Sequence, residues 1–126
     1  MADNADPFPD LDAAALERAE AALANLATRY LEWAEADLVK LEAALAAGRF
    51  DQMFGIAHDM KGQGATFAYP LVSELGNRLC RLVETAPTPD AAQLARMAAL
   101  VAAMGEIIRG RFSGDGGDMG RRLLAL

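Results

Sequence analysis

The sequence predicts an all-α protein, and three observations carry that reading. Apolar residues make up 53% of the chain, much of it alanine, the composition of helices that pack closely. They recur at three- and four-residue steps through most of the sequence. Period-two β-branched runs and Asn-Gly or Asp-Gly hairpin signals between apolar segments are missing. The expected architecture is an antiparallel up-down four-helix bundle with an extra N-terminal helical segment. It spans residues 11–112, between a flexible leader (1–10) and a flexible tail (113–126).

The first stripe is Leu16, Ala19, Leu23, Leu26, Tyr30 and Trp33, continuing through Leu38, Leu41 and Leu45 until Gly48 stops it. One helix of this length, at about 1.5 Å per residue, would overhang a small bundle. Two helices meeting near Asn25–Thr28, where polar caps are available, are therefore expected. The next unit follows Gly48 with Asp51 as N-cap and Phe50, Met53, Phe54, Ala57, Met60 and Phe67 facing inward. It ends before Tyr69-Pro70, because a residue preceding proline is pushed out of helical geometry. Pro70 opens the third unit, with Leu71, Val72, Leu75, Leu79, Leu82 and Val83 as core. "TAPTPD" is a linker whose Thr88, Pro89 and Asp90 read as N-cap, N1 and first-turn acid. The last unit presents Leu94, Met97, Val101, Met104, Ile108 and Phe112, and the glycine-dense "GRFSGDGGDMG" reads as tail.

A net charge of −6 without a dense basic patch excludes a nucleic-acid partner. No uninterrupted apolar run reaches the ~18 residues of a membrane span, and the acidic, proline-bearing N-terminus is the reverse of a secretory signal. Cys80 and His58 are the only cysteine and histidine, too few for a zinc site. A cytoplasmic, metal-free protein is expected.

The single histidine stands in "HDMKGQG", on a helix that also carries Gly55, Gly62 and Gly64. Each interior glycine costs roughly 1 kcal/mol relative to alanine. On a helical wheel Phe54, Gly55, Lys61 and Gly62 lie three or four residues from His58, with Ala65 one turn further. The imidazole thus projects from a surface stripped of bulk, beside one cation. Asp59 points about 100° away, so no triad forms. A neutral imidazole can accept a phosphoryl group and hold it as a covalent intermediate, and Lys61 is placed to screen the incoming charge.

These residues also carry a family resemblance. "AHDMKGQGATFAYPLVSELGNRLCRLVE", Ala57 to Glu84, resembles the histidine-containing phosphotransfer (HPt) domains of multistep phosphorelays. Ala57, His58, Lys61 and Gly62 fit the family signature, and Val72, Leu75, Gly76 and Leu79 fall where its next helix packs. The resemblance implies a phosphoryl carrier without kinase activity. His58 takes the group from the receiver domain of a hybrid histidine kinase and gives it to the receiver of a response regulator. Lys61 lends electrostatic support, and Phe54, Gly55, Gly62, Gly64 and Ala65 form the docking floor. No cofactor of its own is implied, Mg²⁺ belonging to the receiver, and a monomer is expected.

Two positions depart from the family. Ala68 replaces a frequent glycine and would slightly limit approach; Cys80 replaces a glutamine that orients the imidazole. Gln63 lies about 140° around the helix from His58 and is poorly placed to substitute for it. Two other readings compete: a helical adaptor binding a partner through the same face without chemistry, and a degenerate dimerisation domain of the histidine-kinase type.

Overall fold

With no proline or glycine to interrupt it, the first stripe folds as one helix, α1 (Ala13–Ala46). The structure, a computed structural model, describes residues 13–126, so the leader expected over 1–10 lies outside the described residues. The break expected near Asn25–Thr28 does not occur. Thr28 Oγ1 donates to the Ala24 carbonyl at 3.1 Å, so its hydroxyl is satisfied within the helix instead of capping a new one. The helix does overhang. From Ala13 to Arg29 every residue except the half-buried Ala15 is exposed, and burial begins at Tyr30.

Gly48 ends α1 in a left-handed conformation, φ +68°. The second helix, α2 (Phe50–Thr66), follows at once. Asp51 lies inside its first turn, not at the cap, where its carboxylate still meets the positive end of the helix dipole. The Tyr69 amide then closes back onto the Gly64 carbonyl at 2.8 Å. That Schellman-type closure holds Ala68 at φ +67°, a conformation alanine rarely adopts. Pro70 opens α3 (Pro70–Thr85) as expected. The N-cap of α4 (Ala91–Gly110) is Asp90, not Thr88. Its carboxylate accepts from the Gln93 amide at 2.8 Å, and the Gln93 side chain returns the bond to the Asp90 amide at 2.9 Å.

Helices α2 and α3 make the most extensive pairing, and α1 packs on α2 and α4 while α3 packs on α2 and α4. Contacts run in opposite directions along neighbouring helices. Tyr30 stacks on Phe67, and Arg109 bonds Glu35 and Glu42. The centre holds Leu38, Leu41, Met53, Met60, Leu75, Leu79, Met97, Leu100, Met104 and Ile107. Phe50, Phe54, Phe67 and Phe112 pack half-buried around it. Trp33, on the first apolar stripe, is 49% exposed, and Leu94, on the last, is also on the surface. By length and composition α4 is the one described helix apolar enough to cross a membrane, yet Met97, Leu100, Val101, Met104, Ile107 and Ile108 are buried within the bundle.

The stretch expected as a tail forms α5 (Gly117–Leu124). Its glycines make a tight turn: Gly114, Gly116 and Gly117 all have positive φ. The Gly114 amide donates to the Ala68 carbonyl at 2.9 Å, Arg78 Nη1 donates to the Leu124 carbonyl at 2.7 Å, and Leu123 is buried. At this end of the bundle Tyr30 packs against both Phe67 and Tyr69, each with ring centroids 5.2 Å away. The Tyr30 hydroxyl is buried with no hydrogen-bond partner, and burial pushes its pKa up to about 12, with Tyr69 and Asp37 adding to the shift.

Candidate functional site

His58 stands exposed at the middle of α2, and the face around it divides in two. Phe50, Phe54 and Lys61 lie toward α3, and Gly55, Asp59 and Gly62 toward α1, as their helical spacing dictates. A groove of about 480 Å³ opens on the α3 side, lined by Phe50, Asp51, Phe54, Val83, Glu84 and Pro87. One of about 470 Å³ opens on the α1 side, where Lys40, Arg49, Gln52, Gly55, Ile56 and Asp59 are among the lining residues. His58 lines neither groove and stands exposed on the face of α2 between them, each groove mixing apolar and charged residues.

The glycines separate into two kinds. A Cβ added at Gly55 or Gly62 would meet nothing within 4 Å, so these two leave open space beside the imidazole. Ala65 is exposed one turn further on. Gly64, expected on the docking floor, does not belong with them: it is buried, and a Cβ there would lie 2.9 Å from both Ser73 Oγ and the Tyr69 carbonyl oxygen. It is glycine because α3 begins against it. Gly76 plays the matching part on α3, where a Cβ would come within 3.2 Å of the Ala57 carbonyl oxygen and 3.4 Å of Lys61 Cβ. The two backbones therefore approach closely directly beneath the His58 face. Ser73 adds a hydrogen bond from its hydroxyl to the Lys61 carbonyl, and Lys61 itself is half-buried.

The aromatic neighbour of the imidazole is Phe54. The two rings are nearly parallel, with centroids 6.0 Å apart and planes at 9°. The partner is one helical turn back on the same face, a spacing visible in the sequence, where Phe54 reads only as a docking contact. Cys80, in the position from which a glutamine would reach the ring, turns elsewhere: its thiol donates to the Phe54 carbonyl at 3.8 Å. Burial raises the Cys80 pKa, the nearby Lys61 cation opposes that, and Glu84 adds to it, so the group stays a neutral thiol near pH 7. On the other flank burial raises the Asp37 pKa, opposed by Lys40 and reinforced by Asp59.

Ala68 is the remaining departure from the expected pattern. Its methyl is exposed beyond the end of α2, ten residues from the histidine, and its backbone is left-handed. A glycine there would relieve the left-handed backbone that ends the helix. Among the described residues no group of three or more His, Cys, Asp and Glu side chains is placed to hold a metal ion.

The arrangement offers one exposed imidazole beside a near-parallel aromatic ring, one cation a helical turn away, and open space at two glycines. A family model described as the Hpt domain matches residues 25–109, well over half of the chain. No curated protein and no solved structure matches it.

Proposed function

Because the chain belongs to the Hpt domain family, with a histidine phosphotransfer role in phosphorelay signalling, we propose that His58 is its phosphoacceptor. The donor is an aspartyl phosphate on the receiver domain of a hybrid histidine kinase. A neutral imidazole nitrogen attacks the phosphorus, the P–N bond forms as the acyl P–O bond breaks, and the aspartate carboxylate leaves. The second step is the reverse at another receiver: the aspartate of a response regulator attacks, and the imidazole departs with its ring nitrogen free. The chain carries the group and needs no kinase chemistry or metal of its own, Mg²⁺ belonging to the receivers.

The observation that supports this reading best is the open space at Gly55 and Gly62 beside an exposed His58. Transfer between two proteins requires the acceptor nitrogen to come within about 3–3.5 Å of a phosphorus atom set inside another domain's cleft. A side chain at either glycine would stand in that path. Phe54 fixes the ring plane, and Lys61 stands by as a cation for the transferring group. The floor on which a receiver rests is Phe54, Gly55, Gly62 and Ala65, between the two grooves. Charge and composition fit action in the cytoplasm.

The test is acceptance of labelled phosphate from purified hybrid kinases. Wild type takes acid-labile label, and His58→Gln, whose exposed position leaves the fold intact, takes none. Label on the variant would remove His58 from this role. A folded wild type that accepts nothing from any active donor would leave the adaptor reading in its place.

A further inference from the structure

The apolar stripe of α1 does not stop where the bundle stops. Tyr30, Ala34, Leu38 and Leu41 are covered by the other helices, and the same face continues outward through Leu26, Leu23, Ala19 and Leu16 with nothing described against it. Leu16, Leu23 and Leu26 are 47%, 66% and 43% exposed. The alternating steps of three and four residues are those of a helix written to face another helix. A contiguous row of exposed leucines on one helix face marks an interaction surface. We infer that the overhanging half of α1 is a dimerisation surface, pairing antiparallel with the same segment of a second copy of this chain.

Three features select that occupant. The first is steric. The stripe looks toward the side on which the chain's own bundle sits, so a parallel pair would drive two bundles into one space. An antiparallel pair sets them at opposite ends. The second is length. Phe67 and Tyr69 close over Tyr30 and form a stop. A helix lying on the stripe then has room only beside residues 13–29, the length of another overhang. With each tip reaching the other bundle's end, Leu16 comes level with Leu26 and Ala19 with Leu23 of the second copy, and the reverse pairs follow by symmetry, as a two-fold interface requires. The third is the flanks. Ala22 and Ala27 border the seam and permit close approach, while Glu17 and Arg18 lie off it. The one like-charge contact is Glu20, which faces its own counterpart.

Six leucines at roughly 100 Å² of apolar surface each, with the alanines beside them, give a buried area on the order of 1,000 Å², the low end for a specific interface. An interface of that size is reversible and concentration-dependent. The two His58 side chains end roughly 50 Å apart along the shared axis, at 1.5 Å per residue. Both remain open to separate receivers. The inference runs against the monomer implied by the family resemblance and does not depend on the phosphoryl chemistry.

The experiment is sedimentation equilibrium of the full chain from about 1 to 200 μM, the range in which a small reversible interface forms, with Leu23→Glu and Glu20→Gln alongside. Wild type should pass from monomer to dimer across the range. Leu23→Glu, altering the most exposed leucine, should remain monomeric while accepting phosphate on His58 as well as wild-type monomer does. Glu20→Gln should tighten the dimer several-fold. A wild type monomeric throughout overturns the proposal. An undiminished Leu23→Glu dimer assigns the association to another face, and a Glu20→Gln variant no tighter than wild type refutes the antiparallel register.

Discussion

Replacing Ala68 with glycine should stabilise the fold. Ala68 holds φ +67° in the closure of α2, and its methyl is exposed, so the substitution removes no packing. A left-handed L-residue costs roughly 1–2 kcal/mol. Glycine gives back about 0.4–1 kcal/mol through the greater freedom of the unfolded chain. The net gain is about 0.5–1 kcal/mol, or roughly 2–6 °C in Tm for a domain of this size. Thermal and urea unfolding followed by helical circular dichroism measure it, and phosphoryl transfer from a receiver gives the second readout. A Tm that is unchanged or lower would refute the backbone argument. Faster transfer without added stability would show that position 68 governs access to His58 after all.

Gly62 and Gly64 are two residues apart on α2 and should respond oppositely. Gly62→Ala, into open space, should raise stability by about 0.5–1 kcal/mol, and Gly62→Leu should slow transfer without unfolding the protein. Gly64→Ala, which drives a methyl against Ser73 and the Tyr69 carbonyl, should lower stability by about 1–3 kcal/mol in the same denaturation assay. Phe54→Ala should slow transfer by about 3–10-fold, because the imidazole loses the ring that fixes its plane; an unchanged rate in stopped-flow transfer would mean the stack is incidental. Tyr30→Phe removes a buried hydroxyl that has no partner and should be neutral or slightly stabilising at pH 7. Its folded-state pKa is raised from 10.0 to about 12, so the neutral phenol favours folding below pH 10 and that contribution is lost as pH climbs toward 12. Alkaline denaturation of the phenylalanine variant should accordingly begin at higher pH than that of wild type.

The helices and the phosphoacceptor candidate were legible in the sequence because period and spacing are local properties. His58, Lys61 and the open glycines lie within two turns of one another, and Gly48 and Pro70 act through their own backbone. What was not legible depends on partners far along the chain. Gly64 and Gly62 read alike until α3 is laid against one of them. Thr28 read as a cap because its bond to the Ala24 carbonyl cannot be told from a capping bond without the helix. The glycines of residues 114–117 read as disorder, but they form a turn whose worth comes from the Ala68 carbonyl, Leu71 and Arg78. Phe54 reads in the sequence as an apolar neighbour one turn from His58, and the near-parallel pairing of the two rings follows from that same i, i+4 spacing.

The close backbone meeting at Gly64 and Gly76 bears on the direction in which a phosphate would travel. Sliding α2 past α3 by a turn would bring side chains to points where only glycine fits, so the hairpin has one register and behaves as a stiff plate. A stiff plate presents the same surface whether His58 is loaded or empty. For a carrier of the kind proposed, such a surface cannot favour loading over unloading, since no change of shape distinguishes the two states. Donor and acceptor would meet an identical landing site, and flux between them would follow the relative abundance of the two receivers and the free energies of their acyl phosphates. The protein would then work as a two-way junction, with the valve located in the proteins on either side.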